Sequence, residues 1–104
     1  MKIIYVTLNN ADEAKKIGNE LLTLNLANCV NFFPITCIYK YKGKITEEPE
    51  TVLIIKTKED YYDKIEKVIK KHITFDNFIG QINIEKINNE FSNWLDDVVK
   101  TSDS

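Results

Sequence analysis

Apolar residues along this chain recur at two spacings, every second residue in some stretches and every third or fourth residue in others. The first spacing, or an unbroken β-branched run, is typical of strands, and the second is typical of amphipathic helices. The stretches typical of strands cover residues 2–8, 28–33, 36–45, 51–57 and 79–87. We expect Pro34 to bend or bulge the strand region that begins near Asn28, because proline cannot donate a hydrogen bond to a sheet.

Helical spacing predicts three helices. The first covers residues 11–24, with Asn10 as N-cap and Glu13 placed for something close to a capping box. Its inner stripe comprises Ala14, Ile17, Gly18, Leu21 and Leu22, and Lys15, Lys16, Asn19 and Glu20 are expected to face away.

The other two helices lie in the second half of the chain. One begins within residues 58–60 and ends near Lys71, and its inner face comprises Tyr61, Tyr62, Ile65, Val68, Ile69 and His72. The last begins at Asn88 or Asn89, and its apolar stripe comprises Phe91, Trp94, Leu95 and Val98.

The stretch from Cys37 to Thr57 is predicted to form a long β-hairpin. Its first arm, 37–45, alternates polar and apolar residues, whereas its second arm, 51–57, is almost continuously apolar and suits a central strand. The polar segment between the arms, with Gly43 and Pro49, is expected to be the turn. At about 3.3 Å per residue the arms extend roughly 25 to 30 Å, so the tip should project. Tyr39 and Val52 are then expected to be buried by a neighbouring subunit.

The order β-α-β-β-α-β, with one additional C-terminal helix, predicts the α+β class as a ferredoxin-like sandwich. In that fold two helices pack on one face of an antiparallel sheet. The chain is expected to form a single domain over residues 1–104, because no linker or internal repeat interrupts the pattern. A fold of this kind hosts unrelated functions, so the function has to be argued from particular residues.

Composition excludes several classes of function. The formal net charge of −2 gives no electrostatic reason to expect nucleic acid or an anionic membrane as a partner. All 14 basic residues are lysines, so no arginine fork is available to grip phosphate or carboxylate. The sequence shows neither a secretion signal nor a membrane-spanning run of about 18 apolar residues, and the expected location is cytoplasmic.

Two residues are candidates for binding a metal. Cys29 offers a soft thiolate that could bind copper, although a free cysteine most often acts as a small hydrophobic residue. His72 is the only histidine and could be a metal ligand or a general base. It also ends an apolar helix face and has no adjacent ligand motif, which favours a core or interface residue.

Acidic residues and catalytic motifs add little to these candidates. Two acidic clusters match no calcium-binding loop and fit solvated surface, although they could hold hard cations weakly. Their members are Glu47, Glu48, Glu50, Asp96 and Asp97. No nucleophile with an adjacent base, phosphate loop or cofactor fingerprint is visible, so we predict neither an enzyme nor a required cofactor.

Several segments, in order and at fixed spacing, carry a resemblance to a known family. They are residues 14–18 with 20–22, 26–31, 38–39 through 43–45, 53–57 and 90–95. Each segment is a weak pattern alone, but together they are specific. The chain resembles the CutA divalent-cation tolerance family from about Ile3 to Val99.

The resemblance implies a tight homotrimer of ferredoxin-like subunits, similar in architecture to the PII signalling proteins, with the hairpins joining sheets across subunits. One segment departs from the family, whose members follow the second helix with His-Pro-Tyr and then a Pro-Glu pair that lines the inter-subunit cleft. This chain has His72, Ile73 and Thr74, and then Asn77 and Phe78.

Two hypotheses for function follow from the residues and the resemblance. In the first, a non-enzymatic homotrimer contributes to tolerance of copper or another divalent cation, by weak metal or small-ligand binding or as a signalling or scaffold trimer. Cys29 and His72 are then the metal ligands. In the second, an enzyme acts on a small metabolite in the inter-subunit cleft, with His72 as its acid or base. Binding without turnover would favour the first hypothesis.

Overall fold

The computed structural model describes the backbone of residues 1–103 and the side chains of residues 1–97. Its elements are β1 (Lys2–Leu8), α1 (Ala11–Thr23), β2 (Cys29–Tyr41), β3 (Lys44–Thr57), α2 (Tyr62–His72), β4 (Ile79–Asn83) and α3 (Asn89–Asp103). The strands form one antiparallel sheet in the order β2-β3-β1-β4. This order, with helices after β1 and β3, is the predicted ferredoxin-like α+β fold, which is thereby confirmed.

The main core lies between one face of the sheet and the helices α1 and α2. Alternate residues of the two central strands point into it, among them Val6 and Leu53, which pair across β1 and β3. From the helices it receives completely buried side chains, among them Ile17, Leu21, Ile65 and Ile69. α1 packs closely against β2 at Gly18, where an added Cβ would lie 2.9 Å from Cγ2 of Val30. Most members of the helical stripes predicted from spacing are buried, but the prediction is wrong for Leu22 of the first stripe and Trp94 of the last, which are 38% and 44% exposed.

α1 begins as its sequence predicts. The Asn10 side chain accepts a hydrogen bond from the Glu13 backbone N–H at 2.9 Å. The Glu13 carboxylate accepts one from the Asn9 backbone N–H at 2.8 Å, one residue earlier than in an ideal capping box. Two N-terminal donors are therefore satisfied, and the negative carboxylate lies at the favourable end of the helix dipole.

α3 contacts strand β3 on the other face of the sheet. Lys56 pairs across the sheet with Ile3 and follows the core residue Ile55, so its side chain points away from α1 and α2. Its ammonium lies 5.1 Å from the centroid of the Phe91 ring. Leu95 of α3 is completely buried, as its place in the predicted stripe requires. The side chain of Val98, which was predicted for the same stripe, lies outside the described residues.

Val52 is buried by its own chain. Its side chain points to the face opposite α1 and α2, since the next residue, Leu53, faces the core, and its exposed fraction is 0%. The expectation that a neighbouring subunit must cover Val52 is therefore wrong. Tyr39, further along the hairpin, is half-buried.

The hairpin turns much earlier than predicted. Lys42 and Gly43 form a two-residue turn in which both φ angles are positive, 50° and 78°, and the register runs unbroken from Cys29 paired with Lys56 to Tyr41 paired with Lys44. Gly43 is therefore a turn residue, as predicted, but the prediction that the turn extends to Pro49 is wrong, because the residues from Lys44 onward belong to β3 and pair with β2.

Both prolines lie inside strands rather than in turns. β2 is an edge strand, so Pro34 can occur within it without interrupting a central ladder. Pro49 occupies the part of β3 that pairs with β2 alone, because β1 pairs with β3 only over Thr51–Thr57. The predicted interruption of the strand at Pro34 is wrong for this reason.

The outer part of the hairpin projects from the subunit, as predicted. The molecule measures 51 × 28 × 21 Å, and its radius of gyration is 15.1 Å, whereas a compact domain of this length has about 13 Å. Within the part of the chain that the structure describes, no helix is both long and apolar enough to span a bilayer.

β4 is shorter than the predicted strand over residues 79–87. It ends at Asn83, which pairs with Lys2, the first residue of β1. Beyond Asn83 the partner strand has ended, and only the Ile84 backbone N–H still donates, to the carbonyl of Met1 at 3.0 Å. The alternation of apolar residues in the sequence therefore extends beyond the last residue of β4 that can pair with β1.

Candidate functional site

The carboxylate of Glu20 joins the C-terminal parts of α1 and α2. Its Oε1 lies 2.9 Å from Nε2 of His72, and its Oε2 forms an ion pair with the ammonium of Lys71. The Glu20 and His72 side chains retain exposures of 27% and 25%, so solvent and small solutes reach both groups. The prediction that Glu20 faces away from the other elements is wrong, because α2 lies beside it.

The neighbours of Glu20 keep its carboxylate ionised. The hydrogen bond from Lys71 and, next, the one from His72 lower the pKa of Glu20, while partial burial opposes this effect more weakly. A carboxylate that stays negative and holds an imidazole nitrogen can attract a further cation or orient the ring.

Glu20 should contribute stability that depends on pH. A carboxyl group whose pKa is lowered in the folded state stabilises that state above its unfolded pKa, about 4.5, and the contribution disappears as pH falls through the lowered value. In denaturation experiments, Glu20→Gln should therefore be less stable than the wild type at pH 6, and the difference should shrink below pH 4.5. A difference that stayed constant down to pH 2 would contradict this account.

Cys29 and His72 lie on opposite faces of the sheet within one chain. Cys29 pairs with Lys56, whereas the next residue, Val30, packs against the core that α1 and α2 cover. The Cys29 side chain therefore points away from the two helices, and His72 belongs to α2. The structure does not bring the two predicted metal ligands together in one subunit, so their joint role in metal binding stays a prediction about assembled subunits.

The second cysteine lies in the projecting hairpin among carboxylates. Burial and, to a smaller extent, Glu50 and Glu48 raise the pKa of the Cys37 thiol. A hydrogen bond with Glu48 is the main cause of the raised pKa of Tyr39. Cys37 therefore remains a thiol at neutral pH, a form that is a poor nucleophile and a poor metal ligand.

The predicted acidic clusters are dispersed by the fold. Glu48 and Glu50 share one face of the hairpin, whereas Glu47 pairs with Ile38 on the opposite face. Asp96 forms an ion pair with Lys58. Among the residues with described side chains, no three His, Cys, Asp or Glu groups come together in a way that could hold a metal ion.

The segment that departs from the family is fixed against β1. The Asn77 side chain donates to the Thr7 carbonyl at 2.9 Å, and the Phe78 backbone N–H donates to the Thr7 hydroxyl at 3.1 Å. The Phe78 ring stays 60% exposed and meets Tyr5 edge-on, with 6.0 Å between centroids. Ile73 is buried in the core. The position of Phe78 therefore presents an exposed aromatic ring.

An open pocket of about 420 Å³ lies between the start of α2 and β4. Asp60, Tyr62, Asp63 and Gln81 line it. The Tyr62 hydroxyl is already engaged with the Glu66 carboxylate at 2.9 Å and the Ile79 carbonyl at 3.1 Å. Neither Cys29 nor His72 lines this pocket, which separates it from the predicted ligands.

Sequence reasoning missed Glu20 as the partner of His72. The available signal was weak, since it consisted only of an acidic residue near the end of one predicted helix and a histidine at the end of the other. Helical spacing places a residue on a face but does not say which helix packs beside that face. Only the packing of α1 against α2 brings these residues, 52 positions apart, into contact.

The chain is similar in sequence to known proteins of one family. The family model for the CutA1 divalent ion tolerance protein matches residues 2–98. The divalent-cation tolerance protein CutA of Archaeoglobus fulgidus is 35% identical over 98 residues, covering 93% of this chain and 96% of that protein. The corresponding protein of Thermotoga maritima is 31% identical over 96 residues, covering 91% and 95%.

Solved structures agree with the sequence comparisons. A structure described as the periplasmic divalent cation tolerance protein CutA from Archaeoglobus fulgidus superposes with a TM-score of 0.84 at 34% identity, covering 95% of this chain and 99% of that one. The crystal structure of CutA1 from Pyrococcus horikoshii gives a TM-score of 0.83 at 28% identity, covering 94% and 97%.

Proposed function

The chain belongs to the CutA1 divalent ion tolerance family, and from this membership we propose that it contributes to tolerance of divalent cations by binding them weakly and reversibly as a homotrimer. The match of the family model over nearly the whole chain is the observation that carries the proposal. Copper and zinc are the proposed cations, because thiol and imidazole are the distinctive ligands here and both suit borderline metals.

The proposed binding is weak. A tight site needs several ligands at fixed geometry, and no cluster of three candidate ligands occurs among the described side chains. We therefore expect dissociation constants in the micromolar range or poorer, which corresponds to about 8 kcal/mol or less. Cys29 and His72 are the proposed ligands, as separate contacts within a subunit or together across two subunits.

The shape of the hairpin supports assembly. Ile38 and Ile45 share one face of the projecting ribbon and are 67% and 78% exposed, whereas Cys37 and Tyr39 lie on its other face. An isolated two-stranded ribbon is marginally stable in water, so both faces favour cover from neighbouring chains. A closed ring provides each subunit with two different contacts, and the family resemblance makes a trimer the proposed ring.

We propose binding rather than catalysis. The relatives are named for cation tolerance and not for a reaction. The alternative, an enzyme that uses His72 as acid or base on a small metabolite, has no support from these relatives. The imidazole of His72 is hydrogen-bonded to the carboxylate of Glu20.

The proposed location is the cytoplasm. Both cysteines are free, which is usual for proteins in reducing compartments. The Archaeoglobus relative whose structure was solved is described as periplasmic. Fractionation of cells that express the full-length protein tests the proposal directly.

Calorimetry tests the binding proposal. Titration of the purified trimer with Cu²⁺ or Zn²⁺ should give a dissociation constant in the micromolar range or poorer, and most of the binding should be lost when His72→Ala and Cys29→Ser are combined. Light scattering should show that the double variant keeps its oligomeric state. Nanomolar binding of one metal per subunit would overturn the proposal of weak binding. Unchanged binding in the double variant would show that other residues are the ligands.

A further inference from the structure

Glu20 and His72 lie close enough for both to bind one metal ion after a small movement of their side chains. Zinc binds imidazole nitrogen and carboxylate oxygen at about 2.0 to 2.2 Å in tetrahedral geometry, so two such ligands are about 3.4 Å apart, roughly half an ångström more than a hydrogen-bonded pair. The Nε2 to Oε1 distance in the structure is 2.9 Å. Side-chain rotation that turns both lone pairs toward a common point is enough to admit an ion, because each side chain is about a quarter exposed.

We propose that Glu20 and His72 form a two-ligand site for a borderline divalent cation such as Zn²⁺ or Cu²⁺, which bridges α1 and α2, with water completing the coordination. Imidazole and carboxylate are both ordinary ligands of these ions. The inference rests on the proposed function and deepens it. It gives His72 a second metal ligand in its own subunit, a role that Cys29 cannot have because its side chain lies on the other face of the sheet.

Binding requires His72 to lose its proton on Nε2. The cation displaces the proton from Nε2: a protonated ring releases this proton to water, and a neutral ring exchanges it through water for one on Nδ1, so that in both cases the Nε2 lone pair is free for the metal. The Glu20 carboxylate is already ionised and needs no deprotonation at neutral pH. Two protein ligands leave most coordination positions to water, which keeps the affinity low.

Lys71 provides a distinctive test of this site. Its ammonium pairs with Oε2 of the same carboxylate, so it competes with any cation for the charge of Glu20. Lys71→Met keeps most of the aliphatic stem and removes the charge. Removing one like charge from a solvent-screened site should tighten metal binding about three- to tenfold. A purely structural role for the Glu20 contacts would give no such gain.

The experiment is a Zn²⁺ titration of the full-length wild type and of four single variants. Binding is measured by calorimetry and by ¹H–¹⁵N NMR. Glu20→Gln, which keeps the size and hydrogen-bonding capacity of the side chain, and His72→Gln should each weaken binding about tenfold or more. Lys71→Met should strengthen it, and Cys29→Ser should leave the resonance shifts around residues 20 and 72 unchanged. Light scattering and thermal unfolding identify any variant whose assembly or fold has changed.

The outcomes separate this inference from the proposed function. Zinc binding that survives Glu20→Gln, or that Lys71→Met does not tighten, would overturn the two-ligand site while leaving weak cation binding intact. If the wild type bound neither Zn²⁺ nor Cu²⁺ up to millimolar concentration, both the proposed function and the inference would be wrong. Shifts centred on residues 20 and 72 that disappear in Glu20→Gln would establish the site.

Discussion

Replacing Val52 by aspartate is expected to destabilise the subunit by about 3 to 5 kcal/mol, because the new carboxylate is removed from water at a completely buried position without a cationic partner from the native sequence. Val52 lies in the middle of the sheet, paired with Phe33 on one side and with Thr7 on the other. The loss is comparable to the whole stability of many domains, about 5 to 15 kcal/mol. Denaturation with urea, followed by circular dichroism, measures it.

Val52→Thr is the matched control, since it keeps the β-branched shape and introduces only a hydroxyl. It should cost less, about 1 to 3 kcal/mol for a polar group buried without a partner. Both variants should be compared with the wild type at two protein concentrations, because unfolding coupled to dissociation depends on concentration. An unchanged denaturation midpoint for Val52→Asp would show that this position is not a buried one.

The wild-type protein is expected to have a mass of about 36 kDa in solution, three times that of the 12.1 kDa chain. Replacing Ile38 and Ile45 together by lysine should shift the mass to that of a single chain. Both side chains are largely exposed in the isolated subunit, so the change leaves its core intact while placing charges in the proposed interface. Size-exclusion chromatography with light scattering measures the mass, and circular dichroism verifies that the variant is folded.

Leu24→Lys is the control for the assembly experiment. Leu24 is also an exposed apolar residue, at 52%, but it follows α1 and lies outside the hairpin. This variant should keep the mass of the wild type. A wild-type protein that remained at 12.1 kDa would refute the trimer, and a double lysine variant that remained trimeric would show that the ribbon does not form the contact.

The proposed cation binding and the proposed assembly involve different residues of the chain. The hairpin gives assembly a large surface with apolar groups on both faces, whereas the metal candidates are few and scattered over the subunit. A metal site made of Glu20 and His72 can form within one chain, whereas a site made of Cys29 and His72 requires two chains. Binding measured on a monomeric hairpin variant would therefore distinguish a site within a subunit from one between subunits.

Much of the fold could be predicted from local patterns. The three helices and four strands follow from apolar spacing, and the start of α1 follows from Asn10 and Glu13, because a cap involves residues only three positions apart. The strand boundaries were less accurate. Alternation predicted β4 as far as residue 87, but the strand ends at Asn83, where β1 no longer provides a partner.

The hairpin turn illustrates how pairing overrides local polarity. The glutamates and Pro49 resemble a turn in sequence, yet they lie in β3 opposite β2. Once Val30 pairs with Ile55, an unbroken register leaves only Lys42 and Gly43 for the turn. Pro49 is compatible with this arrangement because the outer hairpin has no third strand that needs its missing N–H.

The sequence by itself determined which segments are helices and strands and which of their faces are apolar, because those properties depend on residues within a few positions of one another. The tertiary structure alone decided that Val52 is buried within its own subunit, that Cys29 and His72 are separated by the sheet, and that Glu20 meets His72 across 52 residues. Such contacts arise when elements pack, and periodicity within one element carries no information about its neighbour.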